Sequence, residues 1–76
     1  MPRVTYNAEE RYRVLRRYYV RGDLVSEIAE ETGVRPGTIK NWIASLETNE
    51  EDWCKVVRSA ILQECVNNGH APYGPL

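Results

Sequence analysis

A chain of 76 residues has room for one domain with a modest core, because small chains bury a small share of their surface and gain from a second subunit. Its 42% hydrophobic and 28% charged residues describe a folded chain, with no run approaching the ~18 apolar residues of a membrane span. The N-terminal arginines have no apolar signal-peptide core behind them, so the expected location is the cytoplasm, and a net charge of −1 argues against strong, sequence-indifferent binding to nucleic acid.

Residues 1–6 read as a short arm. Thr5 or Asn7 can cap a first helix that runs to about Val20, with Glu9 and Glu10 placed favourably in its first turn. Ala8, Tyr12, Leu15 and Tyr19 follow the spacing of a buried stripe, flanked by Val14 and Tyr18. Gly22-Asp23 ends this helix, and Asp23 is the expected N-cap of a second, over Leu24–Glu31. Gly33 can take the positive φ that closes that helix, and Pro36 is pre-set for the first turn of a third, which runs to about Glu47.

The stretch Leu24–Leu46 therefore has the layout of a helix-turn-helix. Ala29 is small enough for a close crossing, and Ile28, Val34, Ile39 and Trp42 point into a shared core. With those residues inward, the third helix turns Arg35, Gly37, Lys40, Asn41 and Ala44 outward. Asn41 can pair bidentately with an adenine edge, and Lys40 or Arg35 can reach guanine or a phosphate. Gly37 leaves the helix N-terminus open to close approach, and Thr38 can donate to a phosphate there. The expectation is an all-α fold, with a trihelical DNA-binding domain over residues 7–47 and double-stranded DNA as its partner.

A fourth helix is expected over Glu50–Val66, opened by a Thr48/Glu51 capping box and stopped by Asn67-Asn68-Gly69, within a C-terminal segment 48–68. Trp53, Val57, Ala60 and Ile61 form its stripe. Val56, Leu62 and Val66 widen the apolar arc beyond what a three-helix core needs, which predicts an oligomer interface. Residues 69–76 contain Pro72, Gly74 and Pro75 and read as a flexible tail.

Charge is unevenly placed. Residues 1–21 carry six arginines against Glu9 and Glu10, a balance of +4, while 22–49 come to −3 and the remainder to −2. Arg13, Arg16 and Arg17 share a helical face with Arg21 one turn on, either as a phosphate clamp or as a solvated face paired with Glu9 and Glu10. Tyr6, Tyr18 and Tyr19 could stack on bases, although tyrosines on a helical stripe more often pack in a core. No nucleotide-binding glycine loop and no Ser/His/Asp set is present, so no enzyme activity and no cofactor are expected. Cys54 and Cys65 would lie on one helix face, separated by roughly 16 Å of rise, too far for a disulfide. With a single histidine, His70, no metal site is expected either.

The order Arg16-Arg17-Tyr18-Tyr19-Val20, Ile28-Ala29, Gly33-Val34, Thr38, Trp42, then Asp52-Trp53 with Arg58 and Ala60, resembles the N-terminal DNA-binding region of Mu-like phage terminase small subunits. That region is also similar to transposase helix-turn-helix domains. The match covers roughly residues 10–62, and Asp52-Trp53 is its more specific part. The resemblance implies recognition of viral DNA for packaging in the host cytoplasm, assembly into ring oligomers, and delivery of DNA to a large terminase ATPase/nuclease subunit. Family members use a longer C-terminal region for assembly and docking, whose place the fourth helix and tail would take here. Two alternatives stay open at this point: a small transcription regulator or excisionase-like protein, and a protein-interaction adaptor that does not bind DNA.

Overall fold

A computed structural model describes residues 6–74 and 76, and among these the chain is all-α with no strand. Four helices follow in order: α1 (Ala8–Tyr19), α2 (Val25–Thr32), α3 (Pro36–Thr48) and α4 (Asp52–Asn67). Of the expected arm only Tyr6 belongs to the described residues. No described helix is long and apolar enough to cross a membrane.

Asn7 opens α1 by accepting the Glu10 backbone N–H on its side-chain oxygen at 2.8 Å, which satisfies one of the donors that a helix start leaves free. Val14, Leu15 and Tyr19 then turn inward, with Val20 just beyond. They meet Ile28 of α2, Val34 of the turn, Ile39, Trp42 and Leu46 of α3, and Cys54, Val57, Ile61 and Cys65 of α4 in one continuous core. Each fully buried Leu or Ile contributes roughly 1.5–3 kcal/mol, so a core of this size can hold a domain that depends on nearly all of its members.

The inward stripe of α4 includes both cysteines, rather than Trp53 and Ala60, which are half-buried at its edges. Cys54 and Cys65 are free thiols that act as small apolar residues, and burial pushes both pKa values up. Arg58 ties α4 to the end of α3. It donates from Nε to the Leu46 carbonyl at 2.9 Å and from a terminal nitrogen to the Asn49 carbonyl at 2.9 Å, satisfying acceptors that a helix end leaves open.

Three local expectations are corrected. Asp23 does not cap α2; Leu24 occupies the N-cap without a side-chain bond, and Asp23 faces Arg21 at 3.6 Å. The ion pair offers its carboxylate a charged partner, where the cap offers one backbone donor. The Thr48/Glu51 capping box does not form either. Thr48 is still helical and donates back to the Ala44 carbonyl at 2.7 Å, while Glu51 accepts the Trp53 indole N–H at 2.7 Å. As a result α4 begins at Asp52.

The third correction concerns the tail, which lies back along the end of α1. Gly69 (φ +75°) turns the chain, and the His70 N–H closes on the Cys65 carbonyl at 3.1 Å. The Tyr73 N–H then bonds the Tyr19 carbonyl at 2.9 Å. Gly74 rests so close to the Tyr19 ring that a Cβ there would collide with it, and Leu76 packs on the core. The expectation of a free tail counted apolar residues, whereas a backbone hydrogen bond and a glycine fitted against two tyrosines hold it.

Candidate nucleic-acid interface

The turn that aims α3 is built from local chemistry. Gly33 closes α2 at φ +78°, its N–H bonding the Ala29 carbonyl at 2.9 Å; a Cβ there would meet nothing, so glycine is favoured by conformation and not by space. Thr32 donates its hydroxyl to the Ile28 carbonyl at 2.6 Å and accepts the Val34 N–H at 3.3 Å, which fixes the first step of the turn. Val34 is buried as an anchor. Arg35 is extended, as a residue before proline must be, and Pro36 opens α3.

From this start α3 buries Ile39, Trp42 and Leu46 and presents Arg35, Gly37, Lys40, Asn41 and Ala44 to solvent, with Thr38 half-buried beside them. Among the described residues, the side chains of Arg35, Lys40 and Asn41 have no hydrogen-bond or ion-pair partner inside the chain. Gly37 adopts no special φ and a Cβ there would project into open space. The fold does not require glycine at that position, and glycine in a helix costs about 1 kcal/mol relative to alanine. A partner surface pressed against the α3 N-terminus would require it.

The arginines of α1 are placed differently. Arg13 pairs with Glu9 at 2.8 Å on its own helix, Arg16 with Glu64 of α4 at 2.7 Å, and Arg17 with Glu31 of α2. The structure therefore spreads the three over three carboxylates on three elements, and the Glu10 expected to share in the pairing is not among them. Arg16 also donates from Nε to Glu64 at 3.1 Å, and the Tyr12 hydroxyl donates to the same carboxylate at 3.2 Å. The Arg16 hydrogen bond holds the Glu64 carboxyl below its ordinary value, while burial and then Glu64 itself raise the Tyr12 phenol.

The tyrosines pack internally. Tyr6 meets Trp42 edge-on at 5.1 Å and Tyr18 meets Tyr19 at 4.9 Å, while the Tyr19 hydroxyl reaches Glu47 at 3.3 Å. Burial and the nearby Glu47 push the Tyr19 phenol up. Sequence reasoning passed over Arg11, whose guanidinium lies over the ring of Trp53 at 4.5 Å and near that of Trp42 at 5.8 Å. A signal for it existed: position 11 is three residues after Ala8 and four before Leu15, on the apolar stripe. Val56, Leu62 and Val66 of α4 are 62%, 37% and 71% exposed. No group of three or more His, Cys, Asp or Glu side chains that could hold a metal ion occurs among the described residues.

A family model described as Transposase, a helix-turn-helix type, matches residues 1–63, which takes in all of α1 to α3 and most of α4. The chain belongs to this family. Residues 1–63 thus contain a helix-turn-helix DNA-binding region, and α3 is the element that such a fold lays in the major groove. No curated protein and no solved structure matches the chain.

Proposed function

We propose that this helix-turn-helix chain reads a defined site on viral or mobile DNA, and that it acts by binding rather than by catalysis. The observation that supports this reading most is the outward set Arg35, Lys40 and Asn41 around the open N-terminus of α3, on a helix whose other face is locked into the core. Asn41 serves as the adenine reader, Lys40 as the guanine or phosphate contact, and Gly37 and Thr38 admit the backbone of one strand to the helix N-terminus.

The finer role we propose is that of a terminase-like small subunit, which marks viral DNA for a separate large ATPase/nuclease. It is supported by the Asp52-Trp53 and Arg58 pattern, two of whose members fasten α4 to α1 and α3. The transposase-type match favours a second reading, a small regulator or excisionase-like protein of a mobile element. Self-association through Val56, Leu62 and Val66 belongs to both readings. One helix-turn-helix unit contacts a limited stretch of DNA, and a chain of net charge −1 gains affinity when copies bind together.

The test is selection of binding sites from random duplex, followed by light-scattering mass. The wild type is expected to enrich one defined site, and a Lys40→Ala/Asn41→Ala variant with the same thermal midpoint is expected to enrich none. Equal enrichment by both overturns the reading of α3. Leu62→Glu/Val66→Glu is expected to give a folded monomer with weaker binding; a wild type already monomeric at high micromolar concentration removes self-association from the proposal.

A further inference from the structure

Among the described arginines of the helices, Arg11 is the one whose guanidinium lies against aromatic rings. Arg13, Arg16, Arg17 and Arg21 each face a carboxylate, and Arg58 donates to backbone carbonyls. The Arg11 side chain makes neither an ion pair nor a hydrogen bond among the described residues, and its Nε is buried without a partner. Its guanidinium is held by aromatic faces instead, 4.5 Å from the Trp53 centroid and 5.8 Å from that of Trp42, with Tyr6 packed edge-on against Trp42. Glu51, the carboxylate next to Trp53, accepts the indole N–H and forms no ion pair with Arg11.

A guanidinium held against an aromatic ring is positioned by the ring face while its in-plane donors can still bond an acceptor. An unpartnered buried N–H is costly, and a methionine would fill the same slot without that cost. The aromatic contacts offset part of that cost, and an anion arriving from outside would offset more by bonding the guanidinium. Trp42 belongs to α3 and directly follows Asn41, so the cation is seated beside the recognition helix, not at the far end of the bundle.

We propose that Arg11 is a phosphate-binding residue of the DNA interface, taking one backbone phosphate beside the groove that α3 enters. The inference rests on the reading of α3 as the DNA-reading helix. Trp42 and Trp53, the only two tryptophans of the chain, position it and report on it.

The experiment is a titration of a selected duplex at several salt concentrations with wild type, Arg11→Met and Arg11→Lys. Arg11→Met keeps the stem between the rings and is expected to weaken binding by a similar factor on every sequence, with the salt slope lower by about one unit. Arg11→Lys is expected to retain the slope, and the change in tryptophan emission on adding duplex is expected in wild type and lost in Arg11→Met. A wild-type slope in Arg11→Met, even with a lower thermal midpoint, makes Arg11 a packing residue and overturns the inference. The Arg11 Nε–H resonance of wild-type protein tests the same point without a variant: it is expected to move when duplex is added, and a stationary resonance overturns the inference. A wild type that binds duplex with neither change defeats the Arg11 inference alone, whereas one that binds no duplex defeats the reading of α3.

Discussion

The two basic regions of this molecule, the arginine-rich surface of α1 and the sparsely charged outer face of α3, differ in opposite senses by count and by availability. Residues 1–21 hold six of the chain's ten cations, yet Arg13, Arg16, Arg17 and Arg21 all face carboxylates within the fold. The outer face of α3 brings only Arg35 and Lys40, and the side chains of both are free of internal partners among the described residues. Charge counted along the sequence points at α1. Charge available to a partner points at α3, because a carboxylate already beside an arginine offsets much of the charge that a phosphate would meet.

The largest effect is expected at Asn41, the residue proposed to read a base. Asn41→Ala is expected to lose roughly 1–3 kcal/mol of discrimination at a single base pair, about ten- to hundred-fold, with an unchanged melting curve. Binding to the selected site and to its single-base variants checks this.

The next effect is on salt dependence. Replacing Arg13, Arg16 and Arg17 together by glutamine is expected to change the salt slope by less than about one unit, against up to about three if all three clamp phosphates. The same variant is expected to be less stable than wild type, because Glu64 and Glu31 lose their partners. Gly37→Ala sharpens the other side. It is expected to raise stability by about 0.5–1 kcal/mol while weakening duplex binding, a pair of opposite changes that calorimetry and titration read separately.

The smallest effect is with pH. Arg16 holds the Glu64 carboxyl below its ordinary 4.5, so the stability it contributes is complete above that value and is lost as pH falls through its lowered folded value. The thermal midpoint of Glu64→Gln is therefore expected to lie below that of wild type at neutral pH, with the gap closing below about pH 4.5. A gap independent of pH would assign the loss to packing rather than to the ion pair.

The helix-turn-helix was legible because its constraints are local. Gly33, Val34 and Pro36 determine the backbone within four residues, and the spacing of Ile39 and Trp42 then dictates which residues face out. Side chains with two possible partners were not legible. Asp23, Thr48 and Glu51 each suit a helix cap on local grounds, yet Arg21, the Ala44 carbonyl and the Trp53 indole take them instead. The partners of Arg16 and Arg17 lie 48 and 14 residues away, so the sequence shows the cations without showing their commitment. Arg11 was hidden for the same reason, since Trp42 and Trp53 come to it from two later helices.

If α3 is the DNA-reading helix, it touches duplex while the arginines of α1 that face carboxylates keep their internal partners. Nitrogen-edited NMR of the labelled chain, titrated with its selected duplex, tests this most directly. Large shifts are expected over Gly37–Ala44, including the Asn41 side-chain amide, with the Arg13 and Arg17 side-chain resonances nearly still. Shifts concentrated on those arginines, with Lys40 and Asn41 unmoved, would contradict it.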